Sequence, residues 1–262
     1  MRVTVFGLGE AGSVIAADLA EAGTEVHGYD PADVDTPDGI TRHTAPGPAV
    51  TGSTLVLAVT AAADAQQAIA QAWDEMKPGT VYADLSTSPP GLKKDLADTA
   101  ALRGLPFADV ALMGIVPGNG LGTPALASGP GSQTYAALVN DLGGAVEVIG
   151  DHPGDAAARK LLRSVFTKGL AATLIESLEA ARAHGDQEWV WSHLVELLTN
   201  ADEALLRRLL EGTPRHIDRR IVEMESAQSF LESLGVQPTM TAATVKRLHG
   251  VKTEGMPGSG TR

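Results

Sequence analysis

The chain has 262 residues, 44% of them hydrophobic, which is long enough for two domains and apolar enough for a sizeable core. Its formal net charge of −12 gives an acidic surface that repels phosphate backbones, which excludes nucleic acid as an expected partner. Cysteine is absent, so disulfides, thiolate chemistry and Cys-based zinc sites are excluded, and we expect no metal site. No run approaches the roughly 20 apolar residues that cross a bilayer, and no signal peptide is visible. The expectation is a soluble, cytoplasmic protein without membrane association. Aromatics make up only 4%, so Ala, Leu and Val must fill the core.

Up to residue 150, β-rich runs alternate with Ala-rich helical stretches. Residues 2–6, 25–29, 54–59, 81–85, 107–110, 125–128 and 146–149 read as strands, each punctuated by Gly, Pro or Asp. Helical patterns occupy 11–22, 63–75, 91–103 and 133–142. The alternation predicts an α/β Rossmann-type, doubly wound domain, with a parallel sheet covered by helices on both faces, over residues 1–152. After Gly154 the strand signals stop. One long helical pattern covers 155–184, and others follow at 188–200, 202–211, 215–234 and 240–248. The breaks fall at Gly185, at Gly212 to Pro214 and at Gly235 to Pro238. An all-helical domain is therefore predicted over 153–254, followed by a disordered tail at 255–262.

The first strand runs straight into Gly7, Leu8, Gly9, Glu10, Ala11 and Gly12, and a helix opens there. In a G-x-G-x-x-G turn the first glycine permits the tight turn. The second lets backbone N–H groups approach a pyrophosphate, and the third lets helix and strand pack closely. The helix N-terminus adds partial positive charge for that anion. Asp30 ends the second strand, 18 residues after Gly12, where a carboxylate accepts hydrogen bonds from both ribose hydroxyls and repels a 2′-phosphate. No Arg or Lys follows until Arg42, so NAD is expected rather than NADP. The alternative is that Asp30 caps a turn with Pro31. Val59 and Thr60, at the end of the third predicted strand, and Ser86 complete the expected cofactor set.

Three further stretches carry a resemblance. Residues 84–90 read DLSTSPP, residues 109–114 read DVALMG, and residues 154–164 read GDAAARKLLRS. They resemble, respectively, the D-x-S-T-x-x-P stretch, the substrate loop and the G-x-x-x-x-x-K-L-x-x-N helix of the β-hydroxyacid dehydrogenases, the superfamily of 6-phosphogluconate dehydrogenase. The resemblance extends over nearly the whole chain. It is closest to a branch whose helical domain is of unknown function, which shares the pattern of residues 154–169, the pair Arg219 and Arg220, and Glu223 with Met224.

The resemblance implies that Lys160 is the general acid/base for the substrate proton. A lysine near its ordinary value of about 10.4 holds its proton too tightly at neutral pH, so burial or neighbouring positive charge must lower it. Arg159, Arg163 and Lys168 are the candidate sources of that charge. Lys160, Ser164 and Lys168 recur at i, i+4 and i+8 and share a helix face, with Ala156 and Ala157 leaving room for a ligand. A solvated lysine is the alternative. The chain departs from the family pattern in three places. Ser164 replaces the asparagine, which makes it a second catalytic candidate with a hydroxyl in place of an amide. Met113 replaces the serine of the substrate loop, with Gly114 kept, and Glu223–Met224 replaces a Lys-Asp pair. Met113 with Ile115 and Val116 implies a more apolar pocket. Lys168, and His216 and Arg219 on the later helix, join Met113 and Gly114 as the expected substrate-binding set. A solvent-facing helix surface is the other reading of His216 and Arg219.

Two functions follow. One is an NAD(P)-dependent dehydrogenase or reductase that moves hydride between a nicotinamide and a C=O or C=N bond of a small molecule. The other is a non-catalytic dinucleotide-binding or redox-sensing protein, and the presence of Lys160 favours the first. A helical domain of about a hundred residues buries its apolar faces poorly alone, so a homodimer through that domain is expected, and the resemblance implies the same.

Overall fold

The computed structural model describes residues 1–256. Two compact units are present, Met1–Arg163 and Ser164–Arg262. In the first unit the chain runs β1 (Arg2–Phe6), α1 (Glu10–Glu21), β2 (Glu25–Tyr29), β3 (Ile40–His43), α2 (Pro46–Val50), β4 (Leu55–Ala58), α3 (Ala65–Ala70), β5 (Val81–Asp84), α4 (Pro90–Ala101), β6 (Phe107–Leu112), β7 (Ala125–Ser128), α5 (Ser132–Asn140) and β8 (Val146–Gly150). Helix α6 (Asp155–His184) begins in this unit and continues into the second, where α7 (Gln187–Thr199), α8 (Glu203–Arg215), α9 (Ile217–Ser233) and α10 (Thr239–Glu254) follow.

The eight strands form one sheet in the order β3-β2-β1-β4-β5-β6-β7-β8. From β1 the chain first builds outward through β2 and β3, then crosses back to build β4, β5 and β6 on the other side. That reversal opens a crevice at the carboxyl ends of β1 and β4, the usual ligand position in such sheets. Alternation along β1 shows why both faces are covered. Val3 and Val5 pack with Ile15 and Leu19 of α1 and Tyr135 of α5, whereas Phe6 packs on the opposite face with Val50, Leu96 and Phe107. The helices on both faces exclude water from every central strand, as a largely parallel sheet requires.

The structure corrects several sequence expectations. The sheet is not wholly parallel: β7 runs antiparallel to β6, and β8 runs parallel to β7. Strand β3 escaped notice because its residues, ITRH, carry no apolar alternation; pairing with β2 makes it a strand, Val26 facing Ile40 and Gly28 facing Arg42. Helix α2 is too short, with two prolines in five residues, to show a period. The helix expected at 63–75 divides into a 3₁₀ turn at Ala62–Asp64, the short α3 and a second 3₁₀ turn at Trp73–Glu75. Gly212 to Pro214 does not end α8, which carries Pro214 in its last turn and stops at His216. Helix α10 runs on past 248 to Glu254. The expected tail, from residue 257, lies outside the described residues.

In the second unit α9 and α10 bury Ile221, Leu231, Leu248 and Val251. Glu176 of α6 caps α10: its carboxylate accepts the N–H of Met240 at 2.6 Å, the N–H of Thr241 at 2.8 Å and the Thr241 hydroxyl at 2.6 Å. Among the described residues, α7 and α8 bury none of their side chains. No helix among the described residues is long and apolar enough to cross a membrane, and no cluster of three or more His, Cys, Asp or Glu stands ready for a metal.

Candidate active site

The glycine turn after β1 is built around contacts only hydrogen can make. Gly7 has φ +84°, and a Cβ there would lie 2.2 Å from the Val59 carbonyl oxygen. A Cβ on Gly12 would lie 1.8 Å from the Gly7 oxygen, so β1 and α1 pack at a distance a side chain forbids. At Gly9 the position is open, with nothing within 4 Å. Gly9 is the N-cap of α1 in extended conformation, and no side chain caps the helix. The first N–H groups of α1 are therefore free of side-chain acceptors beside an open space, as an anion requires.

Beside this turn lies a cavity of about 360 Å³ lined by Gly7, Gly9, Asp30, Val59 and Thr60, five of the residues expected at the cofactor. Tyr29, Pro31, Asp64, Gln67 and Gln71 also line it and were not foreseen, because they come from segments with no motif. The buried Thr60 hydroxyl has no hydrogen-bond partner among the described residues, an orphaned group that a ligand would satisfy. Shape, open helix terminus and orphaned hydroxyl all fit a dinucleotide. Leu8 sits differently: its side chain is in the core, and its N–H donates to Asp30 Oδ2 at 2.7 Å. Glu10, Ala11 and Gly12 form the first turn of α1.

Asp30 caps its turn and also borders the cavity: its carboxylate accepts the Ala32 N–H at 2.8 Å. Each carboxylate oxygen keeps lone-pair capacity for a ribose hydroxyl. The reading that no cation lies near is corrected. β3 returns Arg42 to the loop after β2, where its guanidinium donates to the carbonyl oxygens of Asp30, Ala32 and Val34 and to the Thr36 hydroxyl. Distance along the chain concealed this, because the strand that delivers Arg42 carries no pattern of its own.

Where the end of β5 pairs with the middle of β6, the chain buries three charged side chains. Asp84, Lys93 and Asp109 each have 0% exposure. Lys93 Nζ lies 3.1 Å from Asp84 Oδ2 and 3.3 Å from Asp109 Oδ1. Ser86, expected at the cofactor, gives both its N–H and its hydroxyl to Asp84, each at 3.0 Å, and shares a 2.7 Å hydroxyl contact with Ser88. Asp109 Oδ2 accepts the N–H groups of Gly154 at 3.1 Å and Ala157 at 3.0 Å, together with the Ser128 hydroxyl at 3.1 Å. It thereby caps α6 and anchors the first turn of the helix that carries Lys160. The aspartates stand in the motifs noticed in the sequence; Lys93 reads there as an ordinary surface helix lysine.

Lys160 is half-buried. Burial first, then the charges of Lys93 and Arg163, hold its ammonium below the ordinary lysine value, and Asp109 partly opposes them. Arg163 was foreseen as a source of charge; Lys93, the larger charge effect, was not. Helix α6 is unbroken, so Ser164, half-buried, and Lys168, exposed, keep the i+4 and i+8 spacing from Lys160. Met113 is half-buried, with its N–H bonded to the Pro124 oxygen at 2.7 Å, and Gly114 is exposed. In the second unit His216 and Arg219 border a cavity of about 350 Å³ with Arg220, Met224, Thr244 and Leu248, and Arg219 pairs with Glu223 at 3.2 Å.

The fold and the cavity are those of a dinucleotide-binding protein. Residues 2–150 match the family described as the NAD binding domain of 6-phosphogluconate dehydrogenase, and residues 181–251 match a domain of unknown function, DUF1932. The chain belongs to that 6-phosphogluconate dehydrogenase-like family of NAD(P)-dependent dehydrogenases and reductases, with the DUF1932 domain at its helical end. A conserved hypothetical protein from Sinorhizobium meliloti 1021 shares 26% identity at a TM-score of 0.62, covering 100% of this chain and 91% of that one. An imine reductase from Myxococcus stipitatus in complex with NADP+ shares the fold at a TM-score of 0.83, with 18% identity over 97% of this chain and 95% of that one. A reductive aminase from Aspergillus terreus in complex with NADPH and ethyl-5-oxohexanoate does so at 0.80, with 20% identity over 98% and 95%. An uncharacterized 28.5 kDa protein of Methanothermus fervidus is 31% identical over 111 residues, a match that spans 41% of this chain and 43% of that protein.

Proposed function

We propose that the protein reduces a C=N or C=O bond of a small molecule, or oxidises the corresponding amine or alcohol, with Lys160 as general acid/base. A bound nicotinamide supplies or accepts the hydride. Lys160 delivers the proton to the substrate nitrogen or oxygen as hydride reaches its carbon, and takes it back in the reverse direction. The observation that carries this reading is the half-buried Lys160 ammonium, held below its ordinary value on a helix whose first turn is anchored on Asp109 of β6. A proton held less tightly is shared more readily near neutral pH.

The turn 7–12 holds the pyrophosphate on the N–H groups of α1, and Thr60 offers its unpartnered hydroxyl. Asp30 accepts the ribose hydroxyls, which favours NAD. Arg42 does not reverse this preference, because its donors already serve the Asp30, Ala32 and Val34 carbonyl oxygens and Thr36. Met113, Gly114, Ser164, Lys168, His216 and Arg219 form the substrate set in this reading, with residues 153–254 as the substrate and dimerisation domain. The substrate favours C=N, on the imine reductase and reductive aminase relatives and on the apolar Met113 in place of a carboxylate-binding serine.

A panel of cyclic imines, ketone–amine pairs and hydroxy acids with NADH and NADPH tests the reaction class. On any substrate so found, Lys160→Ala is expected to lower kcat by roughly 10²- to 10⁴-fold while the dissociation constant for NADH changes little. Normal turnover by the alanine variant would overturn the role of Lys160.

A further inference from the structure

Lys93 and Lys94 are neighbours on α4 with opposite surroundings. Lys94 is exposed and pairs with Asp98 at 2.6 Å, as a surface helix lysine does. Lys93 is fully buried, and its ammonium meets the Asp84 carbonyl oxygen at 2.7 Å, Asp84 Oδ2 at 3.1 Å and Asp109 Oδ1 at 3.3 Å. Of these three contacts the Asp84 carbonyl oxygen takes a hydrogen bond, and the two carboxylates are ion-pair partners; Asp109 Oδ1 has no hydrogen-bond partner among the described residues. Lys93 is enclosed, so any effect it has on chemistry runs through its charge and through the groups it holds.

Burying three charges is expensive unless every one is paired, and an apolar side chain fills such a space at less cost. The cluster carries one net negative charge, and it sits where the N-terminus of α6 supplies partial positive charge through Gly154 and Ala157. Lys160 follows Ala157 by three residues and Ala156 by four, so it shares the helix face on which those two alanines are buried, one turn beyond the N–H groups held by Ser128 and Asp109.

We propose that Lys93 is a positioning residue for the proton chemistry: clamped between Asp84 and Asp109, it anchors the first turn of α6 and governs from beneath how tightly Lys160 holds its proton. The proposal rests on the reading of Lys160 as the acid/base group. Among the described residues the charged groups acting on Lys160 are Lys93 from α4, Asp109 from β6 and Arg163 from its own helix. Burial is the largest influence and Lys93 the largest single charge, both drawing Lys160 downward, while Asp109 draws it upward. Removing the Lys93 charge must therefore raise the Lys160 midpoint, and removing the Asp109 charge must lower it. A residue that served the fold alone would not give shifts of opposite sign.

The experiment labels the accessible lysines of the full chain by reductive ¹³C-methylation and follows the Lys160 resonance with pH, identified by its loss in Lys160→Arg. Lys93→Met is expected to move the midpoint up and Asp109→Asn down, each by at least about half a pH unit, with Lys93→Arg close to the parent. A folded Lys93→Met protein with an unmoved midpoint overturns the proposal, as do two shifts of the same sign. If Lys93→Met does not fold, Asp109→Asn decides alone, and an unmoved or raised midpoint overturns it. The measurement reads the amine without turnover, so its failure is distinct from a failure of Lys160 as catalyst, which the kinetics of Lys160→Ala report.

Discussion

The two units of this chain handle apolar surface in opposite ways. In residues 1–163 a sheet covered on both faces hides its large side chains: Leu57 and Phe107 are each 1% exposed. In the second unit Trp189 remains 67% exposed, Leu206 51% and Leu210 60%. A sheet sandwiched between helices closes its own core. Within the described part of one chain, helices α7 and α8 bury none of their residues. The first unit closes a core within residues 1–163, whereas the second leaves large apolar side chains exposed within one chain.

Core truncation gives the largest expected contrast. Phe107→Ala is expected to lower stability by about 3–5 kcal/mol, the usual effect of emptying an aromatic site in a sealed core. Leu206→Ala is expected to stay within about 0.5 kcal/mol at a dilution where only single chains are present. Denaturant melts of both variants measure this, and a large effect at Leu206 breaks the contrast by showing that a partner covers it.

The oligomeric state sharpens the same point. Light scattering at micromolar concentration is expected to give twice the 27.0 kDa of one chain, and Leu206→Glu combined with Leu210→Glu is expected to halve it. A parent mass of one chain would rule out the dimer.

Within the first unit, the Asp30 reading predicts NADH binding at least about tenfold tighter than NADPH, a difference of about 1.4 kcal/mol. Fluorescence titration of the two cofactors measures it, and tighter NADPH binding would refute the preference.

The smallest effect concerns acid stability in the second unit. Burial raises the Glu176 carboxyl, but the Thr241 hydroxyl and the N–H groups at the start of α10 outweigh it and hold the carboxylate below its ordinary value. A depressed carboxylate stabilises the fold above its unfolded value, and that contribution is lost as pH falls through the folded one. Glu176→Gln is therefore expected to lower Tm at neutral pH and to flatten the decline of Tm on the acid side. Parallel Tm–pH curves for parent and variant would contradict this role.

The sequence by itself determined the Rossmann unit, the helical unit and the dinucleotide turn. Val3, Val5 and Phe6 alternate on a strand, Gly7 to Gly12 form a turn, and 155–184 is an uninterrupted helical period. These are local consequences of backbone sterics and burial, readable wherever neighbours in the chain are also neighbours in space. Tertiary structure alone decided what depends on residues distant in sequence. It turned β7 antiparallel and made a strand of Ile40–His43 through pairing with β2. It brought Arg42 to the Asp30 loop, where a separation of 12 positions along the chain had suggested distance. It also sent Lys93 into the interior between Asp84 and Asp109 while its neighbour Lys94 stayed in water. A lysine side chain does not announce its solvent. Only the folded sheet, by pairing Asp84 of β5 with Asp109 of β6, decides which lysine is buried.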